Sequence, residues 1–461
     1  DGGLDLFYQV TPSLKSSLSI NTDFAETEVD DRQINLTRFN LLFPEKRDFF
    51  IDGSNHFSFG IQGDDLNPYG KGIIPFFSRR MGLDSNGLPI QINYAGKITG
   101  MIGKWNIGVM HVNDDHFTEN SSYSVARISR NIGPESSIGV IGTYGNAVSQ
   151  TENYVGGIDM KLATSKFHGN KNLALILFGL KSNTKGLSDG DISWGGTITY
   201  PNDFLYFSLG HHEIGENFVA GMGFVPRTNI KESYGNFNIG PRPDKWGILQ
   251  VLSGVGFDHI VNFSNILETR TISFSPLRLR FKSGEEFSYT VSQSFENLEN
   301  EFKIFSTFVI PVGQYEFYRH SLSLLTAGSR NFAGDCSFVW GDFYNGYRKD
   351  FSIGANYKVA VPFFFGAKYK QNEVSLPAGS FTTRIYQVNA NILFSPDITL
   401  YNYFQYDNSS KTIGVQSRFQ WIVKPGNEII VAWTSNLSKP LERYVLNESA
   451  LRFKLKYNIR F

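Results

Sequence analysis

Charged residues lie among many phenylalanines in residues 43–82, FPEKRDFFIDGSNHFSFGIQGDDLNPYGKGIIPFFSRRMG. Charge placed among so many apolar side chains is costly unless it is paired. One interpretation is an internal network of ion pairs that holds this segment in place. The other is contact with a ligand or a translocating chain, because the planar guanidinium of arginine suits carboxylate, phosphate and sugar-acid groups. The residues concerned are Glu45, Lys46, Arg47, Asp48, Arg79 and Arg80.

A second candidate site is an acidic cluster just before this segment. Its carboxylates are the hard oxygen ligands that calcium prefers. Because the cluster lacks the spacing and the turn glycine of an EF-hand loop, the alternative is a solvated, charged turn. A structural calcium ion is the one cofactor that the sequence suggests. The cluster consists of Asp23, Glu26, Glu28, Asp30 and Asp31.

Signals for catalysis are missing from the sequence. It contains no G-x-S-x-G nucleophile elbow and no glycine-rich phosphate loop. We therefore expect a protein that is not an enzyme. Lys plus Arg and Asp plus Glu each number 43, so no net positive field favours nucleic acid as a partner. The one cysteine, Cys336, excludes an intrachain disulfide.

Alternation of apolar and polar residues with a period of two recurs along the whole chain, for example in residues 154–162, 192–200, 351–359 and 384–392. These units are commonly about 10 to 14 residues long, whereas a tilted membrane-spanning strand needs about 9 to 11. Only a closed barrel satisfies every strand's backbone groups in a bilayer. The sequence therefore predicts one all-β domain over residues 1–461, a large transmembrane antiparallel β-barrel of about 24 strands, within a range of roughly 22 to 26.

The links between strands, together with the C-terminus, predict an orientation. Read backwards from the end, segments 437–446 and 373–379 look long, whereas 424–427 and 359–362 look short. Bacterial barrels have short periplasmic turns and longer outer loops, so this alternation predicts that both termini are periplasmic. The last strand ends on Phe461, the kind of terminal aromatic residue that the barrel assembly machinery reads as a signal.

Residues 43–82 interrupt the strand pattern. They follow a short alternating run, QINLTRF, which predicts a strand over Gln33–Phe39. The 43–82 segment is too irregular for spanning strands and too rich in phenylalanine for a solvated loop. We expect it either to enter the barrel lumen as a partial plug or to brace the barrel wall as a packed loop. Something must fill the lumen, because an unobstructed barrel of this size would be a wide leak.

Together these motifs resemble a known family. The acidic run is followed by INLTRF (Ile34–Phe39), FPEKRDFF (Phe43–Phe50) and FSRRMG (Phe77–Gly82). This order is similar to the outer-membrane barrel region of the DUF5916 family, which is common in Bacteroidetes. Asp48 and Asp52 stand where that family often has Pro and Glu. The resemblance implies a bacterial outer-membrane protein. It also implies a preceding periplasmic domain of the carbohydrate-binding family 9-like type, which is absent from this sequence.

The function expected from these observations is a gated or plugged conduit for a glycan, another large solute or an exported chain. The alternative is a non-conducting barrel that is a subunit or anchor of a larger surface, secretion or assembly complex. A membrane-embedded hydrolase is the third candidate. The expected partners are outer-membrane lipid and lipopolysaccharide, the barrel assembly machinery, and other outer-membrane or periplasmic proteins.

Overall fold

Strands make up nearly all of the regular structure in a computed structural model of the chain. The structure describes residues 3–21, 30–61, 73–84, 90–117, 121–360, 362–441 and 443–457. Within these residues there are 25 strands, of which 23 are assigned to one large sheet and two form a separate hairpin. The all-β class and a strand number close to 24 are therefore confirmed.

The strands follow one another along the chain with few helical interruptions. Their bounds are β1 Leu4–Thr11, β2 Leu14–Ile20, β3 Ile92–Ile102, β4 Trp105–Asp114, β5 Ser121–Asn131, β6 Ser137–Tyr144, β7 Asn153–Phe167, β8 Lys171–Thr184, β9 Ile192–Pro201, β10 Leu205–Ile214, β11 Ile230–Ile239, β12 Ile248–Asn262, β13 Leu267–Phe281, β14 Glu286–Leu298, β15 Phe302–Phe305, β16 Phe308–Ile310, β17 Gly313–Leu325, β18 Phe332–Phe343, β19 Gly346–Ala360, β20 Phe363–Leu376, β21 Gly379–Leu393, β22 Ile398–Asp407, β23 Thr412–Lys424, β24 Asn427–Leu441 and β25 Arg443–Lys456. The described helices are α1 (Asp48–Ile51) and two 3-10 turns, Ser54–Phe57 and Ser78–Arg80. None of the helices in the described ranges has the length and apolar character needed to cross a membrane.

Two compact units can be distinguished in the chain. Unit 1 comprises Asp1–Phe24, Leu42–Phe237 and Phe257–Glu268, and unit 2 comprises Ala25–Leu41, Asn238–Gly256 and Thr269–Phe461. In unit 1, each strand from β1 to β10 pairs antiparallel with the next. In unit 2 the same holds from β17 to β25, and β14 pairs with β17 because β15 and β16 pair with each other.

The strands of each unit have a covered face and an open face. In unit 1 the covered face carries residues from 43–61 and 73–81, and in unit 2 it carries residues 30–41 and the β15–β16 hairpin. Side chains alternate between the two faces because of the pleat. The open faces are apolar, and their exposed side chains include Ile98, Val140, Ile158 and Ile198 in unit 1 and Ile353, Val388 and Phe404 in unit 2.

A small aromatic core lies on the covered face of unit 2. The ring of Phe381 on β21 stacks on Phe305 with 4.6 Å between ring centres, and it lies 5.0 Å from Phe308. Leu36 is buried in the same cluster. The core therefore joins the β15–β16 hairpin and the 30–41 segment to the sheet.

The prediction of a strand over Gln33–Phe39 is wrong. The side chain of Asn35 hydrogen-bonds the local backbone: its Oδ1 accepts the N–H of Thr37 at 2.9 Å, and its Nδ2 donates to the carbonyl of Phe39 at 2.7 Å. Such local bonds compete with sheet pairing. The alternation arises because Leu36 is buried in the core and Ile34 packs against it, whereas Asn35 between them is exposed. Arg38 lies 2.7 Å from Glu296.

The two long links predicted near the C-terminus are also wrong. Residues 377–378 are the whole link inside 373–379, and 437–446 belongs almost entirely to β24 and β25. The strands extend because side chains such as Val374 and Phe381 are buried in the aromatic core. The link between β19 and β20 is equally short, so link lengths here do not alternate and give no orientation for the termini.

We predict that Phe381→Ala lowers the free energy of unfolding by about 3–5 kcal/mol, because truncating a buried aromatic ring leaves a cavity. The ring is 9% exposed. Urea unfolding of the purified chain in detergent micelles measures the change. The control is Phe394→Ala in the β21–β22 link, where the ring is 58% exposed, and its effect should stay within about 0.5 kcal/mol. Equal losses in both variants would contradict the aromatic core.

Candidate functional site

The described part of the 43–82 segment, residues 43–61 and 73–82, is called the insert here, and it packs on the covered face of unit 1. Its aromatic side chains Phe49, Phe50, Phe57 and Phe59 are at most 7% exposed. They share one core cluster with strand residues, among them Ile92, Ala95, Met110, Val112, Tyr123, Val125, Ile141, Val155, Phe178 and Leu180. The covered face beneath the insert is therefore largely apolar, and this packing accounts for the many phenylalanines of the segment.

Glu45 and Arg47 form a buried ion pair inside the insert. Arg47 Nη2 lies 2.6 Å from Glu45 Oε2, and Arg47 Nε donates to Glu45 Oε1 at 2.8 Å. Two further N–H groups of Arg47 donate to the carbonyls of Met81 and Ser78, at 2.6 and 2.9 Å. Four guanidinium donors are thus directed at the insert itself, and Arg47 is only 3% exposed. The pair joins the FPEKR and FSRRMG motifs to each other.

The carboxylate of Glu45 is held ionised by its neighbours. Burial acts to raise its pKa, but the hydrogen bonds and charge of Arg47, with a hydrogen bond from Ser78, outweigh burial and lower the pKa. The hydroxyl of Ser78 donates to Glu45 Oε2 at 2.7 Å. Ser78 of the FSRRMG motif therefore supplies an additional hydrogen bond to the Glu45 carboxylate of the FPEKR motif.

Gly82 closes this arrangement. The backbone φ of Gly82 is +67°, in the left-handed region, and its N–H donates to Asp114 Oδ2 at 2.8 Å. A Cβ atom here would lie 2.7 Å from the side chain of Ile92 and 3.1 Å from Arg47 Nη1. Glycine is required at the end of the motif because both the conformation and the space exclude a side chain.

The other predicted charged residues of the segment make further contacts. Arg79 Nη1 donates to the carbonyl of Pro44 at 2.9 Å on the surface, and Arg80 Nε donates to the carbonyl of Gly223 at 2.9 Å. Burial lowers the pKa of Arg80. Asp48 is the exposed first residue of α1, and Lys46 donates its backbone N–H to Glu45 Oε1 at 3.0 Å.

Two cations on the strands beneath the insert were missed by the sequence analysis. Lys97 on β3 donates to the carbonyls of Phe49 and Asp52. Arg127 on β5 pairs with Asp159 on β7 at 2.7 Å and donates to the carbonyl of Ser58 at 3.0 Å. The sequence did contain a signal for these two cations. Each lies on a strand face that otherwise carries apolar or small side chains, where an unpaired charge would be costly.

The predicted calcium ligands are only partly within the described residues. Asp23, Glu26 and Glu28 lie outside them, as does Phe461. Asp31 Oδ1 accepts a hydrogen bond from the hydroxyl of Tyr403 at 2.7 Å, and the carbonyl of Asp30 accepts one from Gln405 at 3.1 Å. No group of three or more His, Cys, Asp or Glu side chains able to hold a metal occurs among the described residues. Calcium binding stays a prediction.

We predict that Asp159→Asn lowers the free energy of unfolding by about 3–5 kcal/mol, because it leaves the guanidinium of Arg127 buried without its counter-charge. Arg127 is 5% exposed. Urea unfolding in micelles measures the loss. The matched control is Asp191→Asn, which removes the partner of Lys181 from a pair 3.6 Å long whose lysine side chain is 68% exposed. That change should cost about 1 kcal/mol or less, and a cost as large as that of Asp159→Asn would contradict the argument.

A second prediction concerns acid. Because folding lowers the pKa of Glu45 below 4.5, its ionised form stabilises the fold fully above pH 4.5, and this contribution is lost as the pH falls through the lowered value. Unfolding titrations across this acidic range should show a shallower pH dependence in Glu45→Gln than in the wild type. The exposed Glu299 provides the control, since Glu299→Gln should keep the wild-type slope. An unchanged slope in Glu45→Gln would refute the assignment.

Comparison with solved structures finds similar chains. One is the crystal structure of the ferric-catecholate import receptor Fiu from E. coli K12 in an open form. Its identity to this chain is 7%, the TM-score is 0.32, and the match covers 98% of this chain and 71% of that chain. Similarity of this degree assigns neither an activity nor a ligand.

Comparison of sequences gives a narrower result. No curated protein matches the chain. Residues 1–100 match the family described as a domain of unknown function, DUF5916. This range contains the acidic run, the FPEKR motif and the FSRRMG motif that the insert joins. The resemblance to DUF5916 predicted from these motifs is therefore confirmed over residues 1–100.

Proposed function

We propose that this protein is an outer-membrane β-barrel that acts as a gated conduit, and that residues 43–82 obstruct it at rest. The observation that carries the proposal is the attachment of the insert to the covered face of unit 1. Strands β2, β3 and β5 each supply a cation to it: Lys15 lies 2.8 Å from Asp52, Lys97 donates to two carbonyls, and Arg127 donates to the carbonyl of Ser58. An element attached at separate points to the inner side of a barrel would narrow its lumen.

The open face of unit 1 supports insertion into a bilayer. Aromatic rings contact each other along one row near one end of the strands, with 5.8 Å between Tyr94 and His111 and 4.8 Å between Tyr144 and Tyr154. Nearer the other strand ends, Tyr200 stacks on Phe207 at 5.3 Å. Exposed aliphatic side chains lie between these rows. Barrel girdles at the two membrane interfaces have this pattern.

The open face of unit 2 has the same character. Tyr386 lies 4.9 Å from Tyr369 and 6.1 Å from Tyr406, and His320 lies 5.4 Å from Trp340. These rings border an exposed apolar surface. Exposure of an apolar surface of this extent to water would be unfavourable, whereas contact with lipid would not. Because a sheet edge in lipid would leave backbone groups unsatisfied, the proposal includes closure of the strands into one barrel.

The remaining parts of the proposal follow from this placement. The barrel would contact outer-membrane lipid and lipopolysaccharide, and the barrel assembly machinery would insert it. We propose no catalytic role for the insert, because the polar groups that the insert brings together are engaged in structural pairs. The cargo would be a glycan, another large solute or an exported chain.

Conductance of the purified protein in planar lipid bilayers tests the conduit. We expect the wild type to be closed or nearly closed, and deletion of residues 43–82 to produce large, steady conductance. Asp159→Asn should produce brief openings, because it weakens one attachment of the insert without removing it. This point variant keeps the test meaningful if the deletion variant does not fold.

Two controls make the result interpretable. Asp191→Asn, in the exposed pair with Lys181, should remain as closed as the wild type. Heat-dependent mobility on denaturing gels should report whether each variant is folded. If folded deletion and point variants stay silent, the conduit is rejected. Silent variants that co-purify stoichiometrically with other outer-membrane proteins would identify the chain as a non-conducting subunit.

A further inference from the structure

A serine, a histidine and a glutamate meet on the open face of unit 1. His211 and Glu213 lie on β10, and Ser233 lies on β11 beside it. The Nδ1 atom of His211 is 2.8 Å from the Oγ atom of Ser233, and its Nε2 atom is 3.5 Å from Oε1 of Glu213. The side chain of His211 is 40% exposed, so the group can be reached from outside the sheet.

One tautomer of the histidine satisfies both contacts. If Nε2 carries the proton, it donates to Glu213, while Nδ1 accepts the hydroxyl proton of Ser233. A serine next to a base that a carboxylate orients is the arrangement that activates a serine nucleophile. In the serine proteases the two ring nitrogens are used the other way round. Either nitrogen of a neutral imidazole can be the acceptor, so the geometry is suited to nucleophilic catalysis.

The group lies in a row of aromatic rings near one end of the strands. Trp194 on β9 lies 5.7 Å from His211 between ring centres, and it is 49% exposed. Tyr144 and Tyr154 lie near the same strand ends. Rings of this kind mark the membrane interface of a barrel. The ester groups of a phospholipid lie at this depth, between its headgroup and its acyl chains.

The surroundings of Ser233 differ in the two directions along the open face, on which side chains recur about 7 Å apart. Towards the strand end lies Lys231, the second residue of β11. Towards the middle of the sheet lies Gly235, where a Cβ atom would lie 2.5 Å from the side chain of Phe257 and 2.6 Å from that of Leu209. A cation on one side and apolar side chains on the other match the phosphate and the acyl chain that flank the ester of a glycerophospholipid.

We propose that Ser233 and His211, with Glu213 as a positioning residue, hydrolyse an acyl ester of a glycerophospholipid. Ser233 Oγ attacks the carbonyl carbon while His211 takes its proton. The bond from this carbon to the alkoxy oxygen then breaks, and His211 gives the proton to that oxygen, so lysophospholipid leaves. Water, deprotonated by His211, attacks the acyl-serine and releases the fatty acid, and Ser233 recovers its proton.

This activity goes beyond the proposed conduit and requires only that the open face contacts lipid. An enzyme was not expected from the sequence, because Ser233 meets His211 only across two strands and no local motif encodes that contact. The chemistry is that of the third candidate, a membrane-embedded hydrolase.

Release of fatty acid from phosphatidylethanolamine in mixed detergent micelles tests the proposal on the full chain. We expect turnover by the wild type and no product from the diether analogue, which has no ester. Ser233→Ala should lower the rate at least about 1,000-fold, and His211→Gln at least about 100-fold. Glu213→Gln should lower kcat at least about tenfold while KM stays within about twofold, because it acts through the histidine and not on lipid binding.

A second serine–histidine contact on the same face provides the matched control. His111 Nδ1 on β4 is 2.8 Å from Ser124 Oγ on β5, and His111 forms no ion pair with a carboxylate among the described residues. Ser124→Ala should therefore keep the rate within about twofold of the wild type. A fluorophosphonate, which labels activated serines, should modify Ser233 and not Ser124, as mapped by mass spectrometry.

The site is overturned if the wild type does not hydrolyse the ester, if the label is not on Ser233, or if Ser233→Ala is as active as the wild type. Heat-dependent mobility on denaturing gels checks that each variant is folded. A protein that hydrolyses the ester but never conducts would lose the conduit and keep this site. One that conducts without hydrolysing the ester would lose only this site.

Discussion

The compensation of buried charge is the constraint on which the covered face of unit 1 depends. An apolar insert lies over strands that carry Lys97 and Arg127, and each of these cations is at most 5% exposed. A buried guanidinium without a partner costs several kcal/mol, whereas a pair with complete hydrogen bonds approximately breaks even. The carbonyls of the insert and the carboxylates of Asp52 and Asp159 supply these partners. The insert therefore buries Lys97 and Arg127 and also supplies some of the polar partners that compensate for their burial.

The free energy of these groups can be compared for two states of the insert, one packed on the sheet and one displaced into water. In place, its own carbonyls satisfy the cations of the wall, and Glu45 and Arg47 satisfy each other. If the insert were displaced into water, water would solvate the same groups. Replacing these protein hydrogen bonds and ion pairs with contacts to water therefore has a small net cost in free energy. The apolar part does not cancel, because Phe49, Phe50 and Phe57 would lose their contacts with the sheet. Within the proposed function, gating is thus opposed mainly by aromatic burial, and the ion pairs determine where the insert returns.

Sequence reasoning recovered the strands well because the open faces are largely apolar. In β9 and β19, alternation predicted both the element and its sidedness. The covered face of unit 1 was harder to predict, because Val125 and Met110 are buried under the insert and reduce the contrast between faces.

Glu45 and Arg47 are two residues apart, so their proximity was visible in the sequence. Arg127 and Asp159 meet only through the register of β5, β6 and β7, which no local pattern encodes. The prediction of a strand over Gln33–Phe39 failed because the alternation there comes from side chains that anchor the segment to the core, and not from pairing with a neighbouring strand.

The final strand shows how strongly the two faces of the sheet specify the register. Leu451, Phe453 and Leu455 on β25 are more than 60% exposed on the open face, so they fix which side chains face the other way. A slip of one residue would exchange the two faces and place cations in the apolar surface, so the register is strongly specified. The same register places Lys456 opposite Glu428, and the two side chains form an ion pair 2.9 Å long. A slip of one residue would also separate this pair, so the charges of the covered face and the apolar side chains of the open face specify the same register.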